Sequence, residues 1–347
     1  MPRKKTSAPG AAKPARLADV AREAGVSVGA AGAVLNGSGT TTIRVSQDTA
    51  QRIRRIAETL AYQPNRVAQS MRGKRTMVIG MLTVESAPPV ETRRLLEVER
   101  IAWEAGYVVQ VLRSWLRDDD SMKAFIAGLR ARHVDGLMVF GRISRRHTAG
   151  LIDEYAGLPT VFHGWAACEG SQAVVQPGVR AGMELALGHC IERGRRRIGA
   201  ILLSGAKERA IAWQSILHEH GLPHGKDLLI RHQPGNEHIP TEASVTAALD
   251  AILPQRIDAL VVENDYWAAA ILAALHRRGI RVPADIAVIG YNNLDFTPML
   301  YPALTTIDER EAEQARALFD AFAVLTAGKP HAGTWTIEPH LVVREST

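Results

Sequence analysis

The spacing of apolar residues divides the chain into two textures. Between residues 16 and 62 they recur at helical intervals: Leu17, Val20, Ala21 and Ala24 share one face of a helix expected at about 17–24, and Ala31, Val34 and Leu35 stripe a second at about 28–35. Gly25 stops the first helix, and Ser27 is placed to cap the second. A third helix, about 47–61, begins behind Ser46, and Pro64 closes the block. From Met77 onward short apolar runs alternate with helical patterns. Strands are expected at 77–83, 107–112, 136–140, 159–163, 198–203, 258–262 and 286–290, with helices near 91–105, 119–131, 146–156, 179–193, 208–220, 242–252, 266–278 and 309–327 and a strand-rich tail after Gly328. Strands separated by helix-length segments predict βαβ units, so the fold class is α/β with parallel sheets behind an all-α head. Two short helices joined by a turn containing Gly form a helix-turn-helix signature, although the same pattern suits an ordinary helical hairpin.

Charge separates these readings. Residues 1–75 hold 14 Lys and Arg against 4 acids, whereas the remaining 272 residues hold 28 against 32. A basic head on a mildly acidic body fits a head that meets nucleic acid, because phosphate neutralisation supplies most non-specific affinity. Residues 1–14, rich in Pro, Ala, Gly and Lys, have nothing to bury and are expected to be a disordered basic tail. The length suits a headpiece plus a large domain or a pair of lobes, and a hydrophobic content of 46% is enough for their cores. Cys168 and Cys190 stand alone without metal spacing, which argues against a disulfide framework or a zinc module. With no secretion signal and no run of ~18 apolar residues, a cytoplasmic protein working at the nucleoid, with no membrane partner, is expected.

Several words in this head carry a resemblance: Asp19-Val-Ala, Ala24-Gly-Val-Ser, Val34-Leu-Asn-Gly, Val45-Ser, Leu60-Ala-Tyr-Gln-Pro-Asn-Arg and Met71-Arg-Gly-Lys. In order and spacing the sequence resembles the LacI/GalR family of bacterial transcription regulators. The resemblance implies a headpiece at 15–62, a hinge at 63–75 and a periplasmic-binding-protein-like effector domain at 76–347, two-lobed and crossed three times by the chain. It also implies a homodimer on a palindromic double-stranded operator, with a small-molecule effector in the interlobe cleft and no cofactor. Residues 65–73 resemble the hinge helix that orders when two subunits meet in the minor groove. So short a helix is marginal alone, and an inert linker is the other reading. The alternative function is a cytoplasmic solute-binding or carbohydrate-processing protein with a vestigial head.

The carry-over is uneven. Relatives usually read bases from the first, second and sixth positions after the capping Ser27, where this chain has Val28, Gly29 and Ala33. That leaves Ser27, the backbone, and apolar contact with thymine methyls. Two glycines inside the helix, Gly29 and Gly32, cost roughly 1 kcal/mol each relative to Ala and are expected to let the backbone approach DNA. Specificity then shifts to Arg44 in the following loop, to duplex shape, and to Met71, which stands where the family carries a Leu wedge in the minor groove. Asn36, Thr49, Tyr62 and Asn65 are expected to hold phosphates, and Arg66, Arg72 and Lys74 to add non-specific charge.

Parallel sheets bind ligands beyond the carboxyl ends of their strands, which points to the loops after Val84, Phe140, His163, Leu203, Val262 and Gly290. There the resemblance implies that Arg209, in Glu208-Arg-Ala-Ile-Ala-Trp213, grips the effector and that Asn264 contacts it, while Asp265 caps the next helix. Asn292 occupies the place of a common Asp, Gly164 follows His163 where Asp is common, and Gln176-Pro-Gly178 replaces a usual Asp-Asn. Asn292 implies a less polar, neutral or anionic effector, or a weakened site, and so many missing acids make hexose recognition doubtful. Trp165, Tyr266, Trp267 and Phe296 are placed to stack on a ligand or to pack the lobes, and His163 is equally ambiguous.

Enzymatic motifs are missing: there is no Gly-x-Ser-x-Gly, Walker loop, Gly-x-Gly-x-x-Gly or HExxH. His218-Glu-His220 with His224 reads as solvated surface, and Asp118-Asp-Asp120 as a helix N-terminus.

Overall fold

A computed structural model describes residues 15–35, 43–63, 75–84, 89–114, 128, 133–140, 158–164, 171–232, 239–329 and 333–347. The chain separates into two compact units, Met1–Thr76 and Met77–Thr347. The expected helices at 119–131 (apart from Gly128) and 146–156, the hinge at 65–73 and the tail at 1–14 lie outside the described residues.

In the first unit, α1 (Leu17–Glu23), α2 (Val28–Leu35) and α3 (Gln47–Thr59) bury Val20, Ala21, Ala24, Ala31, Ile53 and Ala57 together. Local chemistry sets the boundaries. Asp19 accepts the Arg16 amide at 3.0 Å and pairs with Arg22 at 2.8 Å, fixing the entry to α1. Gly25, at φ +63°, ends that helix in a conformation that a Cβ would strain. Ser27 and Ser46 then cap α2 and α3 by accepting the amides of Ala30 (3.1 Å) and Thr49 (3.4 Å).

The second unit contains two sheets. The first lobe has strand order β11-β5-β4-β3-β1-β2, from β1 (Val78–Val84), β2 (Val108–Ser114), β3 (Gly136–Val139), β4 (Thr160–His163), β5 (Ala173–Pro177) and β11 (Gly333–Ile337). Helices α4 (Pro89–Glu104) and α9 (Glu311–Thr326) pack on it. The second lobe has order β12-β10-β9-β8-β6-β7, from β6 (Ile198–Leu203), β7 (Leu229–His232), β8 (Ala259–Val262), β9 (Ala287–Tyr291), β10 (Thr305–Asp308) and β12 (His340–Val342). Its helices are α5 (Val179–Glu192), α6 (Lys207–Glu219), α7 (Glu242–Ile252) and α8 (Asp265–Arg277). Every pairing is parallel except that of β10 with β12. Central strands such as Ile198–Leu203 and Ala259–Val262 are buried throughout, which is why they read as continuous apolar runs.

Among the described residues the chain crosses between lobes at Gly178, at Glu309–Arg310 and at Glu338–Pro339, matching the three crossings that the resemblance implied. Strands β5, β7 and β10 were not anticipated. Each is only 4 or 5 residues long, β5 ends in Pro177, and β7 is a half-exposed edge, so none carries a distinctive apolar run.

Asp265 ties the second lobe together. It is fully buried; one carboxylate oxygen accepts the Thr306 hydroxyl at 2.6 Å and the other the Leu294 amide at 2.7 Å, joining the start of α8 to β10 and to the loop after β9. Replacing Asp265 by Ala strands that amide and hydroxyl in the interior. The expected loss is about 2 kcal/mol, read in urea titrations of the full chain as a lower midpoint with an unchanged slope.

Candidate functional site

The headpiece surface is apolar at the start of its second helix. Val28 is 50% exposed, and Ile43 from the following loop is 42% exposed. Gly29 is exposed, and a Cβ there would stand 3.2 Å from the Ile43 Cδ1 methyl, so the absent side chain also leaves room for Ile43 of the same headpiece. Ile43 thereby joins the apolar surface. Ala33 is half-buried and Arg44 exposed. The Ser27 hydroxyl is engaged as an acceptor in its cap, and the Thr49 hydroxyl accepts from Ser46 at 2.9 Å, so each still has its own proton to donate to a phosphate or base. Tyr62 packs half-buried against the headpiece core, and burial pushes its phenol above the usual range. Asn36, Asn65, Arg66, Met71 and Lys74 lie outside the described residues.

Between the lobes, polar side chains from distant parts of the chain meet in one buried cluster. Arg209, in the first turn of α6, donates to the Glu263 backbone carbonyl at 2.7 Å and to Glu309 at 3.3 Å, and its guanidinium lies 3.7 Å from the centroid of the Tyr291 ring. The second oxygen of Glu309 accepts from Asn292 Nδ2 at 3.3 Å and lies 3.8 Å from Arg94 of α4. Glu309 therefore stands on a crossover between a guanidinium of each lobe. Glu263 also lies 3.5 Å from Arg209 through its carboxylate and accepts the Leu203 amide at 3.0 Å. At the rim, Arg93 donates to the Asn293 carbonyl at 3.0 Å, a further link between lobes.

Backbone conformation supports this convergence. Asn292 (φ +101°) and Asn293 (φ +44°) turn the chain after β9, a region that Asn tolerates well. Arg310 (φ +59°) turns outward to pair with Glu313 while its neighbours Glu309 and Glu311 are both buried.

His163 is buried beside this cluster. Gln314 donates its amide nitrogen to the Glu309 carbonyl at 2.6 Å, so its oxygen faces His163 Nε2 at 2.8 Å and the imidazole carries its proton there. Burial, and then Arg94, hold the His163 pKa well below the usual value, so the ring is neutral. For Arg209 burial opposes the charge, but Glu263, Tyr291 and Glu309 outweigh it and raise its pKa. Burial pushes Glu311 from the usual 4.5 to about 7, against the pull of Arg94, and raises Glu91, which accepts from the Thr83 hydroxyl at 3.2 Å. The Cys190 thiol, pushed up to about 12 by burial, is inert; Cys168 is outside the described residues.

Two expectations change. Asn264, not Asp265, caps α8: its side-chain oxygen accepts the Trp267 amide at 3.0 Å. The cleft is also not depleted of acids, because Glu91, Glu263, Glu309 and Glu311 surround Arg94 and Arg209 and offset the missing aspartates. Trp165 lies outside the described residues. Trp267 stacks on His232 at 4.2 Å and Tyr266 lies 5.1 Å from Phe296, so these rings pack on one another. Two departures noted in the sequence, Gly164 and Gln176–Gly178, line one cavity of about 640 Å³ that reaches Glu184, Glu208 and Glu338. Among the described residues no cluster of three metal-ligating side chains occurs.

Sequence reasoning missed Arg94, Glu309, Glu311 and Gln314. The acids of Asp308-Glu-Arg-Glu-Ala-Glu313 read as a solvated helix N-terminus, and Arg93-Arg94 as the polar face of a helix. Only the folded lobes bring them together.

Glu311 makes this cluster pH-sensitive. Below about pH 4.5 the carboxyl is protonated in folded and unfolded chains alike; between there and about 7 only the folded chain keeps the proton, so stability falls as pH rises through that window. Glu311→Gln is neutral throughout. It is expected to match the parent near pH 4.5 and to exceed it by up to about 3 kcal/mol at pH 8, measured as thermal midpoints across a pH series.

Residues 16–65 match the model of bacterial regulatory proteins of the lacI family, and residues 187–347 that of a periplasmic binding protein-like domain. The chain is 30% identical over 341 residues to the HTH-type transcriptional repressor PurR of Photorhabdus laumondii, covering 96% of each protein. It is 28% identical over 315 residues to the ribose operon repressor of Escherichia coli, covering 88% of this chain and 91% of that one. The lac repressor dimer bound to operator and the anti-inducer ONPF shares its fold, with a TM-score of 0.82 at 24% identity over 96% of this chain and 99% of that one. The transcriptional regulator CelR in complex with cellobiose matches at TM-score 0.68 and 25% identity, covering 96% and 100%. The chain belongs to the LacI family of bacterial regulatory proteins, a family of DNA-binding transcriptional regulators.

Proposed function

We propose that this regulator is a homodimeric repressor whose operator affinity is set by a small molecule bound between the lobes of residues 76–347. The observation that carries the reading is the bridge through Glu309 from Arg94 in one lobe to Arg209 in the other, a polar contact that a ligand reaching the cleft must engage. Binding there changes the balance between lobe arrangements, and linkage carries that change through the hinge at 63–75 to the headpiece at 15–62, typically by ~1–3 kcal/mol. Arg209, Asn292 and His163 are the assigned effector residues, with Trp165 as the stacking candidate; Asn264 holds the helix that frames the site. The relatives PurR and the ribose operon repressor are repressors by name, and the lac repressor is a dimer on its operator. Exposed apolar side chains support a dimer here: Leu96 and Trp103 on α4, Val108 and Val111 on β2, and Met299 and Tyr301 in the second lobe. A two-fold pair of headpieces spans a palindrome, and its place of action is the cytoplasm, at the nucleoid.

On DNA the assigned contacts are apolar. Val28, Ile43 and Ala33 meet thymine methyls, Met71 wedges into the minor groove, Arg44 adds specificity from its loop, and Thr49 and the basic residues hold the backbone. Affinity for the DNA upstream of its own gene is expected to fall steeply with salt, with log K against log salt sloping about −0.9 per phosphate neutralised. A flat response in fluorescence-anisotropy titrations favours the vestigial head instead.

Arg209→Ala would leave Glu263 and Glu309 buried beside an empty space, so the informative variant is Arg209→Lys, which keeps the charge but loses the fork and the stacking on Tyr291. It is expected to bind operator as the parent does and to have lost the response of a promoter reporter to inducing growth conditions. A reporter that still responds places the effector elsewhere.

A further inference from the structure

We propose that the interlobe site takes a cationic effector, a molecule with a protonated nitrogen beside hydroxyl or carbonyl groups. The proposal rests on the reading of this cleft as the effector site and specifies its ligand class.

Charge is the first observation. Among the described residues the buried cluster holds Glu91, Glu263, Glu309 and Glu311 against Arg94 and Arg209, and His163 adds no positive charge. Both guanidiniums already face carboxylates, Arg94 at Glu309 and Arg209 at Glu263 and Glu309. The adjoining cavity repeats the imbalance. Arg180 is engaged by Glu184 at 2.8 Å and Glu219 at 3.0 Å, while Glu208 and Glu338 have no cationic partner among the described residues.

The second observation is independent of charge counting. Glu311 is 4% exposed, and its buried Oε1 has no hydrogen-bond partner; the Nε atoms of Arg94 and Arg209 are likewise unpartnered. A buried acceptor of this kind is costly to leave unpaired and strongest when it receives a charged N–H. The two Nε–H groups suit neutral acceptors such as hydroxyl or carbonyl oxygens. An anionic ligand would have to displace Glu309 from Arg209 or add a further carboxylate to a cluster that already holds four. A cation instead supplies the missing countercharge and disturbs no existing pair. Burial already holds Glu311 and Glu91 above the usual carboxylate range, the strain that a neighbouring cation relieves.

The test uses three probes of one shape, glucamine, sorbitol and gluconate, which end in an ammonium, a hydroxyl and a carboxylate at pH 7.5. They are titrated into the full-length protein at low salt by calorimetry. Glucamine is expected to bind at least about tenfold tighter than sorbitol, with gluconate weakest. Glu309→Gln and Glu311→Gln, both close in shape to the parent, are each expected to weaken glucamine several-fold while sorbitol changes by less than about twofold. Equal or tighter binding of gluconate, or no binding by glucamine, overturns the cationic class. If gluconate is preferred and Arg209→Lys abolishes that preference, the class is wrong and the cleft reading stands. A glucamine preference unmoved by both Glu→Gln variants overturns the cleft as its site, and the proposal with it.

Discussion

The interlobe arrangement depends on one carboxylate. Glu309 sits where the chain leaves β10 for α9, and its two oxygens face Arg209 of the second lobe and Arg94 of the first. Removing two guanidiniums and a carboxylate from water costs several kcal/mol per ion, so the pairing adds little net stability over an apolar contact of equal size. What it adds is geometry. Apolar faces slide at small cost, whereas a displaced Glu309 would leave buried charges without partners, and the two lobes are held to one relation.

The same contact connects architecture to regulation. A ligand moves an equilibrium only by its differential affinity for the two states, and the groups most sensitive to lobe position are those at Glu309, Arg94, Arg209 and Asn292. Arg209, Asn292 and Gln314 already hold internal hydrogen bonds, so a ligand that only substitutes for those gains little. Groups left unpartnered, such as Glu311 Oε1, are where new binding energy is available.

In the headpiece the chemistry is nearly the reverse. Among the described residues the start of the second headpiece helix presents Val28, beside Ile43 from the following loop, and Ser27 is already engaged in its cap. Apolar contacts distinguish thymine by its methyl but cannot reproduce the bidentate hydrogen bonds that identify guanine or adenine. In the proposed mechanism discrimination therefore leans on groove shape and on the hinge.

The order of elements was legible in the sequence because it rests on local rules. Apolar spacing marked the three headpiece helices and most strands, Gly25, Ser27 and Ser46 marked their boundaries, and the motif words around them carried the family and hence the two lobes and three crossings. Arg209 and Asn292, singled out by their places in later words of the chain, do meet at Glu309. Tertiary structure decided the rest. Whether Asp265 caps a helix or anchors a strand and a loop depends on Thr306 and Leu294, 41 and 29 residues away. Whether a side chain fits at position 29 depends on where Ile43 lands. The cleft's charge could not be read locally, since Arg94 and Glu309 come from segments that look like solvated helix surface. The physical reason is the same in each case: a periodic pattern records which face of an element is buried, but the partner of a buried charge is chosen by packing between elements far apart in the chain.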